Sequence, residues 1–301
     1  MSWLLIIILA YLFFSFSSLG DKLVLSATPK PKLYVFYVGM LGLVVVFLMP
    51  FAGGMALPTA AAAGWISLAA INNFLALYFM FSAMQKFEAS RVMPAIGAIQ
   101  SILILLLTWV FWGFEAVAMP ALVAFFLLLL GSFVISVEKK FSLTREFLTT
   151  TLVAAALFAC GYIFFKMVFL HLPFLQGLIW ISIATALCAL SLLFEKDFRY
   201  QLFEKREGLD KKTGRLFLFA QFCGGAGTLL QSLAIALAPI GYLAIINALR
   251  GLQYVFLFVL MLAASRFLPP TAREEISKKI IIQKTAAMAL IVFGLAMLFA
   301  S

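Results

Sequence analysis

One arginine in the middle of a long apolar segment is the most informative residue of the chain. Arg250 lies about nine residues beyond Gly241, where the segment begins, and this is roughly 14 Å along a helix. An arginine near the centre of a bilayer costs at least ~2.5–3.5 kcal/mol, so it should face a cavity or a partner. Asn247 and Tyr254, at i−3 and i+4, share its helix face, with Gln253 beside them. The guanidinium group of Arg250 could bind an anionic substrate. Alternatively, Arg250 could be structural, with its N–H groups satisfied by neighbouring carbonyls and polar side chains.

Further polar residues interrupt other apolar segments. Gln100 has Gly97 and Ser101 nearby, and its amide can donate and accept, which suits either a metabolite or a hydrogen bond between helices. The other cavity candidates are Asn72, Asn73, Tyr162, Lys166, Gln221 and Gln231. Each of these could instead link helices, and Lys166 could extend its ammonium group to the membrane surface.

Several kinds of chemistry are missing from the sequence. No apolar segment carries an aspartate or glutamate near its middle, which disfavours exchange of lipophilic cations for protons. The glycine cluster at 223–227 is followed by no Lys-Ser/Thr, so no nucleotide-binding loop is present. The three cysteines lie in apolar segments, and the single histidine, His171, stands alone. We therefore expect no disulfide, metal, cofactor or enzymatic activity.

The composition explains where these residues must lie. The 301 residues are 65% hydrophobic and only 11% charged, with a mean hydropathy of +1.13, which excludes a water-soluble enzyme or a disordered chain. Apolar runs of roughly 20 residues are long enough to cross a bilayer as helices. Ten such spans are predicted, at 2–20, 33–50, 64–85, 92–112, 119–137, 148–169, 174–194, 216–238, 240–263 and 281–300. Lys86, Glu88 and Arg91 mark a tight hairpin between the third and fourth spans.

The basic residues predict the orientation of these spans. Twenty of the 22 lysines and arginines fall in or beside loops 1–2, 3–4, 5–6, 7–8 and 9–10, and none falls in the other loops. Because positive charge collects on the cytoplasmic side, both termini are predicted to be non-cytoplasmic in a multi-pass plasma (inner) membrane protein. The net charge of +10 thus indicates topology and not nucleic-acid binding. Loop 7–8 is either a solvated linker or an amphipathic helix on anionic lipid headgroups.

The two halves of the sequence resemble each other. Residues 10–22 match 156–166 at an offset of 144, which aligns Lys22 with Lys166. Residues 82–107 match 232–257 at an offset of 150, which aligns Gln100 with Arg250. The fifth and tenth spans each carry a central glycine, Gly131 and Gly294.

This pattern predicts an all-α polytopic membrane protein of ten transmembrane helices in two five-helix repeats. The repeats would occupy 1–137 and 148–301, with a cytoplasmic linker at 138–147. Because five is odd, the second repeat is inverted, and inverted repeats place a substrate site near the midplane between the halves.

The chain as a whole resembles the EamA-like transporters of the drug/metabolite transporter superfamily. The resemblance lies in the ten spans, the paired Lys22 and Lys166, the tight hairpins before the fourth and ninth spans, and the WGFE at 112–115. It implies a ten-helix inverted-repeat permease that moves small metabolites by alternating access. Two features depart from the family: its typical members have cytoplasmic termini, and the second Gly-Glu element is replaced by Ala264-Ser265-Arg266.

Three functional classes follow from the sequence. The first is a secondary transporter of a small anionic or zwitterionic metabolite, with any coupling ion undefined. Its substrate-binding candidates are Arg250, Gln100, Asn247, Tyr254, Asn72, Gln231, Tyr162 and Lys166. The second is a membrane protein that handles lipids or lipid phosphates without solute transport, and the third is a scaffold. The basic face predicts contact with anionic headgroups in each case.

Overall fold

A computed structural model describes residues 2–24, 31–87, 89–136, 144–203, 211–264 and 278–300. Every regular element within these residues is a helix. Most of the predicted linker at 138–147 and large parts of basic loops 7–8 and 9–10 lie outside the described residues.

The first half of the chain supplies five long apolar helical segments. They are α1 (Ser2–Val24), α2 (Pro31–Leu41) with a 3-10 continuation (Gly42–Phe51), α3 (Ala60–Lys86), α4 (Ala89–Trp112) and α5 (Met119–Ser136). α3 ends at Lys86 and α4 begins at Ala89, so the break between the third and fourth spans lies where the sequence predicted it. Between α4 and α5, Gly113 adopts φ 84°, a left-handed conformation that favours glycine and explains this residue of the WGFE element.

The second half begins with α6 and contains one additional short helix. Its elements are α6 (Arg145–His171), α7 (Phe174–Leu190) with a 3-10 turn (Ser191–Phe194), α8 (Lys196–Phe203), α9 (Lys211–Leu237), α10 (Leu243–Ala248), α11 (Gly251–Ala264) and α12 (Lys278–Ala300). A 3-10 turn (Ile240–Tyr242) leads into α10. The predicted ninth span is therefore not one continuous helix, since α10 and α11 are separated at residues 249–250.

Length and hydropathy identify a multi-pass membrane protein. Nine helical segments of the described residues are long and apolar enough to cross a membrane, and α10 and α11 together form one of them. The tenth predicted span corresponds to the shorter apolar helix Met119–Val134.

The helices form two compact units, and each unit draws on both halves of the sequence. The first unit comprises residues 1–27, 93–142 and 209–301, and the second comprises 28–92 and 143–208. In the first unit α1 packs mainly against α9 and α11, and α5 packs mainly against α12. In the second unit α3 packs against α6 and α7, and α2 with its 3-10 continuation packs against α7.

Two glycines bring α5 and α12 close together in the first unit. A Cβ atom at Gly131 of α5 would lie 2.7 Å from Ile291 Cγ1 of α12, and one at Gly294 of α12 would lie 3.0 Å from Leu128 Cγ of α5. Each glycine thus receives a bulky side chain from the other helix. Small residues at such contacts let helix backbones approach closely in a membrane.

The second unit is held by apolar packing and by two ion pairs. Ile66, Ala69, Val168 and Ile181 form a buried cluster where α3, α6 and α7 meet. At the helix ends, Lys32 pairs with Glu195, and Lys86 pairs with Glu146 at 2.7 Å. Both pairs are substantially exposed, so each is expected to contribute at most about 1 kcal/mol.

Candidate functional site

Arg250 lies at an interruption in the helix that carries it. The backbone N–H of Arg250 donates to the carbonyl of Asn247 at 3.0 Å, and the N–H of Leu252 donates to the carbonyl of Leu249 at 2.9 Å. These i→i−3 bonds replace the i→i−4 bonds of an α-helix, so the chain tightens into a 3-10 turn between α10 and α11. The turn leaves the carbonyls of Ile246 and Ala248 without their α-helical N–H donors.

Side chains from two other helices satisfy these carbonyls. Tyr11 of α1 donates its hydroxyl to the carbonyl of Ile246 at 2.6 Å, and Ser132 of α5 donates to the carbonyl of Ala248 at 2.9 Å. Tyr11 is fully buried. Because an unpaired carbonyl in a membrane interior is costly, these two bonds stabilise the turn.

Gly251 makes room for the Ser132 bond. A Cβ atom at position 251 would collide with Ser132 Oγ and would lie 2.9 Å from Ile291 Cδ1. The glycine after Arg250 is therefore a packing requirement at the start of α11.

Arg250 and Tyr254 both lie against a glycine of α4. A Cβ atom at Gly97 would be 3.5 Å from Arg250 Cδ, 3.9 Å from Arg250 Nη1 and 3.9 Å from the Tyr254 hydroxyl oxygen. Both side chains are half-buried. The structure thus brings a guanidinium and a phenol hydroxyl together at the position on α4 where Gly97 contributes no side chain.

Asn247 joins this group to α4. Its amide Nδ2 donates to the carbonyl of Gly97 at 3.1 Å and to Ser101 Oγ at 2.8 Å. Asn247 is 1% exposed, and its Oδ1 atom has no hydrogen-bond partner among the described residues. Asn247 therefore has a structural contact of its own in addition to its predicted place beside Arg250.

Gln100 is buried with its polar group unsatisfied. The side chain is fully buried, and neither Nε2 nor Oε1 has a hydrogen-bond partner among the described residues. A buried amide without partners costs about 1–3 kcal/mol, and such groups require an explanation when they occur. Within the described parts of the chain, Gln100 thus makes no interhelical hydrogen bond, which was one alternative for it.

The other predicted site residues are divided between the two units. Gln231 of α9 lies in the first unit with Arg250, Gln100, Asn247 and Tyr254, whereas the remaining three lie in the second unit. These three are Asn72, Tyr162 and Lys166. Asn72 of α3 donates its amide to the carbonyl of Leu157 of α6 at 2.7 Å, which is the helix-linking role that was its alternative.

Tyr162 and Lys166 lie one turn apart on the same face of α6 and are both buried, at 7% and 4% exposure. Lys166 therefore does not expose its ammonium group in the structure. The role of these residues in binding a solute stays a prediction.

The residues that the sequence did not single out are the donors to the turn. Tyr11 and Ser132 lie in apolar helices that carry other hydroxyl residues as well, so the sequence does not distinguish them from packing residues. Gln253 Nε2 donates to Ser18 Oγ at 3.0 Å, and Ser15 Oγ donates to the carbonyl of Gln253 at 2.9 Å. Serines at positions 15 and 18 of α1 are the only sequence signal for this second contact.

The arrangement offers one permanent cation with neutral donors and acceptors. A guanidinium has five N–H donors in a planar fork that matches a carboxylate or phosphate. The Tyr254 hydroxyl beside it can donate or accept. Among the described residues the site therefore suits binding of an anion better than acid–base chemistry, because no carboxylate or imidazole lies among the residues named here.

Comparisons with known proteins support the fold and leave the family open. No protein-family model matches the sequence, and no curated protein matches it. Among solved structures, 28 chains match. One of them, a crystal structure whose description names no function, has a TM-score of 0.69 at 18% identity, covering 98% of this chain and 96% of that chain. At this identity the likeness concerns the fold alone, and it extends over nearly the whole chain.

Proposed function

We propose that this protein is a secondary transporter that moves a small anionic or zwitterionic metabolite across the plasma (inner) membrane by alternating access. The observation that carries the proposal is the position of Arg250 at a helix interruption within a membrane span. Discontinuous helices in membranes are typical of transporter binding sites, because unwound backbone and helix ends there face a ligand. A membrane-embedded arginine is by default a functional residue.

The unsatisfied buried amides near this turn support a transport role. Gln100 and the Oδ1 atom of Asn247 lack partners in the described residues, although both are buried. In a protein that alternates between states, such groups find their partners in a second state or in the substrate. If Gln100 had a purely structural role, its amide would be expected to have a hydrogen-bond partner in the state described here.

Helix pairing supports the two inverted repeats of five helices each. An exchange of the halves maps span 1 (α1) onto span 6 (α6) and span 8 (α9) onto span 3 (α3). The pairing of α1 with α9 therefore corresponds to the pairing of α6 with α3, and both are major contacts. The same exchange maps α5 onto α12, whose two glycines contact each other's helix reciprocally. This supports ten spans, with α5 as the short one.

With these features, we place the protein with the EamA-like members of the drug/metabolite transporter superfamily as a hypothesis. The whole-chain likeness to a solved structure of similar length is compatible with a common fold. The charge distribution still predicts non-cytoplasmic termini, in contrast to typical members of that superfamily.

The first test is substrate-dependent stabilisation followed by flux. Purified protein would be screened by thermal shift against carboxylates, phosphorylated sugars and amino acids, and each hit would be measured as counterflow in proteoliposomes. Arg250→Gln should abolish both responses while melting close to the wild-type temperature, and Arg250→Lys should retain part of the activity because it keeps charge without the planar fork. Arg215→Gln removes an equal charge from an exposed position of α9 and serves as the control.

Normal counterflow by well-folded Arg250→Gln would refute the anion site. A variant that fails to fold would instead indicate a structural arginine, in which case partial rescue of folding by Arg250→Lys without transport would be expected.

A second test separates stability from transport at Gln100. Replacing this unsatisfied amide with leucine should stabilise the folded protein, by up to about 1–3 kcal/mol, because a buried polar group without partners is removed. If Gln100 contacts the substrate or forms a bond in a second state, the same variant should lose transport. Wild-type counterflow by the stabilised Gln100→Leu variant would remove Gln100 from the site.

A further inference from the structure

The corner between α7 and α8 contains an apolar cleft with one charged residue. The cleft has a volume of about 580 Å³ and belongs to the second unit. Its apolar walls come from three leucines and two phenylalanines within residues 187–203, and its polar groups are Ser191 and Arg199. The Ser191 hydroxyl already donates to the carbonyl of Cys188 at 2.6 Å, so among the described lining residues Arg199 is the one that can offer N–H donors to a ligand.

The cleft is preformed because α8 is anchored on α2. Phe198 of α8 is 1% exposed and packs on Phe36 of α2 with ring centroids 5.4 Å apart. Glu195, at the bend before α8, pairs with Lys32 of α2. These two contacts hold the α8 backbone against the end of the membrane-spanning helices.

The cleft is an open groove, because several of the apolar side chains that line it are themselves largely exposed. Phe194 is 89% exposed, Phe203 65% and Tyr200 58%, and Leu187 in the last turns of α7 is 62% exposed. Aromatic residues in such positions are favourable at the interface between hydrocarbon and headgroups, and unfavourable in water. This composition favours a position of the corner at the membrane interface.

The charges on α8 add a preference for an anion. Lys196 and Arg199 are both exposed and lie three residues apart, on one side of the helix. Asp197 is two residues from Arg199 and so does not share its face, and Glu195, one turn before Arg199, is neutralised by its pair with Lys32. This side of the membrane is also the one predicted to be cytoplasmic, where anionic lipids attract basic residues.

We propose that this corner is a binding site for one anionic phospholipid of the adjacent leaflet. The phosphate lies at Arg199, and an acyl chain lies in the cleft between the end of α7 and α8. A phospholipid is favoured over a soluble phosphate compound because the site joins a cation to an open apolar groove with exposed aromatic walls. The proposal does not depend on transport or on the role of Arg250.

Native mass spectrometry of the purified full-length chain can test the site. The protein would be titrated with dioleoylphosphatidylglycerol, dioleoylphosphatidylcholine and, as a soluble probe, glycerol 3-phosphate. We expect one phosphatidylglycerol to bind with clear preference over phosphatidylcholine, and glycerol 3-phosphate not to compete. Arg199→Gln should weaken phosphatidylglycerol binding about fivefold and leave phosphatidylcholine unchanged.

Matched variants separate the cleft from general basic charge. Arg145→Gln removes an exposed arginine from the start of α6, in the same unit but outside the cleft lining, and should bind phosphatidylglycerol as the wild type does. Phe203→Ala removes one apolar wall of the cleft and should weaken the binding of both lipids. Equal effects of Arg199→Gln and Arg145→Gln would overturn the proposal. So would competition by glycerol 3-phosphate, or a change of oligomeric mass in Arg199→Gln without a change in lipid binding.

Discussion

Replacing Gly251 with alanine tests whether the turn at Arg250 depends on the side chains that satisfy its carbonyls. The new methyl group would collide with Ser132 Oγ and would lie 3.2 Å from Ser132 Cβ and 2.9 Å from Ile291 Cδ1. The isoleucine methyl is the end of a flexible chain and can move. The serine hydroxyl must turn away, and it then loses its bond to the carbonyl of Ala248.

The magnitude follows from these contacts. Side-chain hydrogen bonds inside membrane proteins contribute about 0.6 kcal/mol on average and about 1.7 kcal/mol at most, which sets the cost of Ser132→Ala. Gly251→Ala adds an overpacking cost of about 1–3 kcal/mol and regains up to about 1 kcal/mol because alanine is the better helix former. The expected net loss is about 1–3 kcal/mol. In a Ser132→Ala background the hydroxyl is absent, so Gly251→Ala should cost less than about 1 kcal/mol.

The assay is the free energy of unfolding of the four proteins in this cycle, measured by circular dichroism during titration with a denaturing detergent. A Cβ atom at Gly225 of α9 meets nothing within 4 Å, so Gly225→Ala is the matched control and should be neutral or stabilising by up to about 1 kcal/mol. Costs of Gly251→Ala that agree within about 0.5 kcal/mol in the two backgrounds would refute the coupling between positions 132 and 251.

Three further predictions concern orientation and packing. In a chain without its native cysteines, Arg145→Cys should resist labelling by a membrane-impermeant maleimide in intact cells. Leu57→Cys lies in a loop without basic residues and should be labelled, and the reverse pattern would overturn the predicted orientation. Gly131→Ala should destabilise the protein by about 1–3 kcal/mol because its Cβ would lie 2.7 Å from Ile291 Cγ1, and an unchanged melting temperature would contradict the close approach of α5 and α12. Asn72→Leu should lower the unfolding free energy by about 0.6 kcal/mol, up to about 1.7, through loss of its bond to α6, and an unchanged value would show that this bond adds no stability.

The sequence predicts the positions of the long helices because each is a run of apolar residues that must span a bilayer. In the described part of the chain, nine of the ten predicted spans correspond to helical segments that meet this length and hydropathy, and the remaining one is shorter. Hydropathy does not predict α8, because its eight residues are mostly polar and its one fully buried side chain, Phe198, depends on Phe36 of a distant helix.

The interruption at Arg250 could not be predicted from its neighbours in sequence. No proline breaks the segment, and Gly251 alone is compatible with a continuous helix. The turn is stabilised by Tyr11 and Ser132, which are 235 and 116 residues away from the carbonyls they satisfy. Such contacts depend on tertiary packing, so neither helix propensity nor hydropathy predicts them.

The candidate site was predicted in part. The sequence identified Arg250, Asn247 and Tyr254 from helical spacing, and the structure brings all three against Gly97 or Ser101 of α4. Gln100 was identified from its alignment with Arg250. That its amide is buried without a hydrogen-bond partner in the described residues depends on the surrounding helices and could not be predicted. The distribution of the eight candidates over two units was not predictable, because apolar helices of similar composition give no pattern that selects their neighbours.

The reciprocal packing of α5 and α12 at Gly131 and Gly294 also has a consequence for biosynthesis. The ribosome makes α5 about 160 residues before it makes the part of α12 that fills the groove at Gly131. During this interval the groove must face lipid or a temporary neighbour, since its permanent partner does not yet exist. The first unit therefore reaches the packing described here only after α12 has entered the membrane, and a nascent chain that stops before α12 exposes a surface that membrane quality control can recognise.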